Sequence, residues 1–299
     1  MSFDEIQNIA RSLTLEQFEN YDVSRFSCDQ LHYFIRGFYN SHVDTCWNLT
    51  RWNVSNVTDM TNMFSYCQCL RSLNLSTWNV SNVTDMCGLF CGCHELQALN
   101  ISNWNVSNVT RMSYMFQNCY SLQSLDLSNW NVSKAVYMNS MFQNCQSFQS
   151  LNLSNWNVSN VTNMCMMFCD CQYIRSLDLS NWDLSNVTDM RQMFANCQSL
   201  KSLNLSNWNV SKSTNIQYMF PNCPLLVPGS VEPILLEVIT TNEKRLHQEL
   251  KNKDEQIRAL NSKIESLERM LLDKDEQLTT KEMEIMRLGQ LLASLAEQL

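Results

Sequence analysis

Apolar and polar residues alternate in three different ways along the chain. Over residues 1–47 the apolar positions sit three and four apart, as in Leu31, Phe34, Ile35 and Phe38, which is the spacing of one helix face. Ser2 with Glu5, Thr14 with Gln17 and Ser27 with Gln30 are spaced as capping boxes. These residues therefore predict a helical N-terminal cap. Over residues 48–228 the pattern is a refrain. Trp returns at 52, 78, 104, 130, 156, 182 and 208, Phe at 64, 90, 116, 142, 168, 194 and 220, and Cys at 67, 93, 119, 145, 171, 197 and 223. Each interval is 26 residues, with no insertion. A fixed period of this size marks a stacked array. Over residues 243–299 the period becomes seven: Leu250, Ile257, Ile264, Leu271, Leu278, Ile285, Leu292 and Leu299 form one column. Leu246, Leu260, Leu267, Leu288 and Leu295 form a second, interrupted by Lys253, Lys274 and Lys281. That is a coiled-coil seam for two or three helices. Residues 229–242, a Pro/Gly linker and helix start, join array to coil; "PLLVPGSVEP" reads as stop and hinge.

Within one repeat, Leu96, Leu99 and Ile101 follow L-x-x-L-x-L, and Leu99 and Ile101 alternate with Ala98, Asn100 and Ser102. Period two predicts a half-buried strand. Val109, Met112, Met115, Phe116 and Cys119 then recur at three- and four-residue steps, which predicts a short helix capped by Ser107 or Asn108. The residue before each ladder Cys is Tyr66, Gly92, Asn118, Asn144, Asp170, Asn196 or Asn222; six of these tolerate a left-handed backbone at a helix end. One such unit cannot bury its own apolar face, whereas stacked units can. Trp78, Trp104, Trp130, Trp156 and Trp182, Phe116 and Phe142, and Cys119 and Cys145 are expected as internal ladders.

The string L-x-x-L-x-L-S-x-W-x-V-S-x-V-T-x-M-x-x-M-F-x-x-C, in register from about Asn48 to Pro228, resembles the BspA-like leucine-rich repeats. The resemblance implies an α/β solenoid of seven strand–helix repeats and a role in adhesion or binding rather than catalysis. It also implies a surface location for bacterial members. Here "MSFDEIQNIARSL" has neither a basic n-region nor an apolar core, so the expectation is an intracellular protein of a protist or of a virus-infected cell, or a virion component.

Charge narrows the partners. The net charge is −8, which argues against nucleic acid. Between Asn48 and Val231 eight Lys/Arg balance eight Asp/Glu, so the array surface is Asn, Ser, Gln and Thr. No stretch is apolar enough to insert in a membrane. The fourteen Cys read as reduced, buried thiols in that compartment. The many Asn-x-Ser/Thr triplets, such as those at Asn53, Asn79 and Asn105, read as repeat chemistry rather than glycan sites.

Candidate chemistry is sparse. With five Gly and four scattered His (His32, His42, His94, His247), no phosphate loop or catalytic set forms, so neither an enzyme nor a cofactor is expected. Cys87 and Cys91, with Cys93 and His94, and again Cys165 and Cys169, have the spacing of zinc ligands on a helix. Surface thiols and plain structural Cys are the other readings, and the ladder position of Cys93 favours the last. Exposed strand positions are uniform, as in Ser124, Asp126 and Ser128. The variable columns contain Tyr114, Tyr137, Tyr218, Arg111 and Arg191, which makes them the candidate partner-binding residues. The expected function is a protein-interaction scaffold, made a homo-oligomer through its coil; the alternatives are a structural part of a viral or cellular assembly and, after that, a surface adhesin.

Overall fold

The structure is a computed structural model that describes residues 1–41, 45–205, 208–211, 214–226 and 233–296. Within its last helix, side-chain surroundings are described for residues 247, 248 and 250–292. His42, Leu299, Pro228 and Gly229 lie outside the described residues, as do the side chains of Leu246 and Leu295.

Three helices come first: α1 (Phe3–Ser12), α2 (Leu15–Glu19) and α3 (Cys28–Tyr39). All three begin with the capping boxes read from the sequence, at Ser2/Glu5, Thr14/Gln17 and Ser27/Gln30. Short parallel strands follow: β1 (Cys46–Asn48), β2 (Ser72–Asn74) and β3 (Ala98–Asn100) in one sheet, β4 (Ser176–Asp178) and β5 (Ser202–Asn204) in another. Trp47, Leu73 and Leu99 pair in register, as do Leu177 and Leu203. A single bridge joins Ser150 to Ser176. The first strand thus takes Cys46 and Trp47, which the sequence had assigned to the helical segment 1–47.

The strand–helix repeat is not what forms. Among the described residues of the array there is no helix. The segment from Met60 to Cys67 instead joins a second parallel ladder, with bridges running Asp59–Asp85–Arg111–Tyr137–Asn163–Asp189–Asn215. The backbone donors show why. The N–H groups of Met60, Asn62, Phe64 and Tyr66 donate to the carbonyls of Asp85, Cys87, Leu89 and Cys91 in the next coil, at 2.6–2.9 Å. Those of Met63, Ser65 and Cys67 close turns onto Met60, Asn62 and Phe64. Thr61 N–H donates to Asp59 Oδ1. Every N–H in the run is satisfied, half of them by a neighbouring coil that an isolated helix would not need.

Left-handed residues every four positions make this possible. The column before the ladder Cys has positive φ throughout, including Tyr66 (φ 59) and Asn118 (φ 61). So does the column Asn62, Gly88, Tyr114, Ser140, Met166, Gln192 and Tyr218. A helix cannot hold such residues. Ser107 and Asn108 are accordingly no helix cap: Ser107 N–H donates to Asn105 Oδ1, and Asn108 Nδ2 donates to Ser81 O.

Side-chain turns of the Asx type explain the Asn-x-Ser triplets. The side chains of Asn53, Asn79, Asn105, Asn131 and Asn157 each accept the N–H of the Ser two residues on. Each Asn is thereby fixed in a tight bend of its coil.

Met166 carries a long side chain at φ 56, a conformation that costs an L-residue about 1–2 kcal/mol. Glycine avoids that cost at an entropic penalty of about 1 kcal/mol or less. Met166→Gly is therefore expected to leave stability unchanged or raise it by about 1 kcal/mol. Met167→Gly, next door and fully buried, should lose at least about 2–5 kcal/mol. Equal losses in chemical denaturation would contradict the backbone assignment.

The core is continuous from Ile6 in α1 to Met219 in the last coil. A separate compact unit, Glu243–Leu299, contains most of α4 (Pro233–Ala296). Among the described residues no helix is long and apolar enough to cross a membrane.

Candidate interaction surfaces

The ladder residues sit inside. Trp78, Trp104, Trp130, Trp156 and Trp182 are at most 3% exposed, and Phe116, Phe142, Cys119 and Cys145 are fully buried. Burial alone does not explain why Trp and Cys hold their columns; hydrogen bonding does. Each indole N–H donates to the carbonyl of the last apolar residue of the L-x-x-L-x-L segment, or its equivalent, in the preceding coil: Trp78 to Leu49, Trp104 to Leu75, Trp130 to Ile101, Trp156 to Leu127 and Trp182 to Leu153. The ladder thiols after Cys67 donate to the preceding coil as well, Cys119 to Phe90 O and Cys145 to Phe116 O, at 3.2 and 3.1 Å. A residue in either column must therefore be apolar in body and carry one donor. Trp47, outside the column, has a buried indole N–H with no partner among the described residues.

Burial pushes the ladder thiols up, Cys67 to about 12 and Cys119 and Cys145 well above the ordinary range. Cys91 is also buried, its Sγ 3.4 Å from Gln117 Oε1, and Cys169 is pushed up to about 12 chiefly by burial. The zinc-like spacing of Cys87/Cys91 and Cys165/Cys169 was read on a helix that does not form. Among the described residues no three His, Cys, Asp or Glu are grouped to hold a metal. The exposed thiols are Cys46 and Cys69, which sequence reasoning missed because they stand outside the repeat columns.

Since the thiolate is the reactive form, labelling of the native protein at neutral pH should modify Cys46 and Cys69 first. Cys87 and Cys165, half-buried with raised thiol pKa values, should follow slowly. Cys119, Cys145 and Cys197 should react only on unfolding. Early modification of Cys119, read by peptide mass mapping, would contradict the ladder.

The candidate partner-binding residues fall into two groups. Arg111 and Tyr137 are direct neighbours in the second ladder, with Tyr114 on the same segment as Arg111. Arg111 also reaches back to Asp85 at 3.2 Å. Both Tyr rings are exposed, Tyr114 by 40% and Tyr137 by 45%. The three residues thus lie along the second ladder on two adjacent coils. Arg191, paired with Asp189 at 2.7 Å, and Tyr218 lie coils away and do not join them. None of them is on a helix. Tyr66 and Tyr173 are more exposed than either Tyr114 or Tyr137.

The second surface is on α4. Leu250, Ile257, Ile264, Leu271, Leu278, Ile285 and Leu292 are all 51–69% exposed, as are Leu260, Leu267 and Leu288. Both columns of the heptad seam are therefore open in the single chain.

The family described as "Mycoplasma protein of unknown function, DUF285" matches over residues 32–151 and 122–227. These ranges take in well over half of the chain, and the protein belongs to that family. The match is consistent with the resemblance to BspA-like repeats. No curated protein matches the chain. Among solved structures, the chain is similar to TLR13 in a TLR13–ssRNA13 complex at 16% identity and TM-score 0.35, over 67% of this chain and 33% of that one. It is similar to a leucine-rich-repeat protein of Leptospira interrogans at 13% identity and TM-score 0.27, over 73% and 64%. A leucine-rich-repeat protein from Bacteroides ovatus gives 16% identity and TM-score 0.26, over 61% and 65%. The chain thus spans a third of the first and just under two thirds of the other two.

Proposed function

We propose that this protein is a non-enzymatic protein-interaction scaffold. In this reading seven 26-residue coils form a solenoid, helices α1–α3 cap its start, and α4 multimerises it as a coiled coil. The observation that carries the reading is the open heptad seam of α4. A stripe of Leu and Ile over seven heptads left in water is unfavourable, and each such side chain gains about 1.5–3 kcal/mol when fully buried. Multimerisation sets several identical arrays side by side, which raises avidity for weak repeated sites without new contacts. The partner is protein rather than nucleic acid, because the array is charge-balanced and the whole chain acidic. Arg111, Tyr114 and Tyr137 depart from the uniform Asn/Ser surface of the array on two adjacent coils. The protein acts inside a cell, in keeping with its donor-bonded free thiols.

Affinity capture from cells expressing the chain tests this reading. Partners recovered with the intact chain should be lost with the Arg111→Ala/Tyr114→Ala/Tyr137→Ala variant and weakened when the seam is broken. An unchanged set of partners in both variants would contradict it.

A further inference from the structure

The two ends of the coil stack have opposite polarity. Along the run 60–66 and its equivalents in later coils, the N–H groups that leave the coil all point forward and the carbonyls that accept from a neighbouring coil all face back; just before each run the direction reverses, as in Thr110 N–H to Thr84 O. At the first coil the uncovered groups of this run are the carbonyls of Asp59, Thr61, Met63 and Ser65, and α3 brings a donor to the last of them. Arg36 Nη1 donates to Ser65 O at 3.1 Å. His32 Nδ1 lies 2.9 Å from Asn62 O, a carbonyl outside the row that also accepts Ser65 N–H within its turn, and the nitrogen must carry the proton there because a carbonyl only accepts.

At the last coil the uncovered groups are donors. In the preceding coil Met190, Gln192, Phe194 and Asn196 give their N–H to Asn215, Gln217, Met219 and Pro221 at 2.8–3.0 Å. One period later, the N–H groups of Ile216, Tyr218, Phe220 and Asn222 have no partner among the described residues. The sequence of this coil carries no negative charge. From Lys201 to Gly229 the sequence contains Lys201 and Lys212 and no Asp or Glu. Where the preceding coil has Asp178, Asp183 and Asp189, this one has Asn204, Asn209 and Asn215. Exposed Tyr218 and Leu225 stand beside the row.

We propose that this donor edge is a docking surface for an Asp/Glu-rich segment of a partner protein, distinct from the surface of Arg111, Tyr114 and Tyr137. Carboxylates accept hydrogen bonds and cannot donate, so they fit a one-signed row as Arg36 fits the opposite one. Such bonds are stronger than neutral ones, and rows of backbone N–H groups form concavities that favour anions. A second copy meeting this edge end to end would set donors against donors. A β-strand edge offers mixed donors and acceptors and matches only half the row.

Fluorescence anisotropy of a labelled heptaglutamate peptide with the full chain, against heptaglutamine, tests the proposal, with amide hydrogen exchange locating the contact. Heptaglutamate should bind and heptaglutamine should not, and protection should appear at residues 216–222. Asn215→Asp keeps the side-chain acceptor that Gln217 N–H uses and copies Asp189, so it should fold as wild type. It should weaken peptide binding about tenfold, the effect of one like charge close by. Equal binding of the two peptides, protection elsewhere, or undiminished binding by a folded Asn215→Asp protein would overturn the assignment.

Discussion

Trp130→Ala lowers the stability of the array by about 3–5 kcal/mol, the usual loss for truncating a buried aromatic. Its indole is 2% exposed and lies parallel to that of Trp104, ring centroids 6.4 Å apart. It also donates to Ile101 O at 3.2 Å. That carbonyl keeps a second donor, Trp104 N–H, so the loss comes mainly from the cavity and the broken stack. Neighbouring coils cannot slide in to fill the space, because the second ladder holds them in register through Arg111–Tyr137 and Tyr137–Asn163. Tyr137→Ala is the control, a large aromatic of the same part of the array but on its surface, and should cost well under 1 kcal/mol. Denaturant midpoints compared at equal slopes read the difference. A wild-type midpoint for Trp130→Ala would refute the ladder.

Breaking the α4 seam abolishes association and melts the helix. Ile264→Asp with Leu271→Asp puts two carboxylates into the middle of the proposed interface, where a buried unpaired charge costs several kcal/mol. A long helix with low intrinsic hydrophobicity and no partner draws little stability from propensity alone. Circular dichroism should therefore show most of the α4 signal lost at temperatures where the array, a separate compact unit, still gives its full near-ultraviolet tryptophan spectrum. Persistence of the helical signal in the double variant would show that α4 is stable by itself and that the seam serves something else.

The sequence made some parts of this structure legible and concealed others. The Trp, Phe and Cys columns fix which residues face inward, because a period without insertions leaves no freedom of register. The capping boxes place the starts of α1, α2 and α3 to the residue. The segment after Val109 was misleading for a physical reason. Apolar residues at three- and four-residue steps suit one face of a helix, but they suit equally a chain of tight turns with a left-handed residue every four positions. One left-handed column was visible in Asn118 and its equivalents. The other, holding Tyr114, Ser140, Met166 and Tyr218, has no glycine or asparagine bias to reveal it; only the neighbouring coil's hydrogen bonds make it affordable. The candidate surface shared this fate. Variable columns could be picked out along the chain, but that Arg111 abuts Tyr137 while Arg191 stands apart depends on the second ladder.

Sedimentation equilibrium of the intact chain at tens of micromolar tests the central claim most directly. The scaffold reading predicts two or three times the chain mass of 34.9 kDa, falling to one in the Ile264→Asp/Leu271→Asp variant. A mass of 34.9 kDa for the wild-type chain at that concentration would contradict self-assembly through α4.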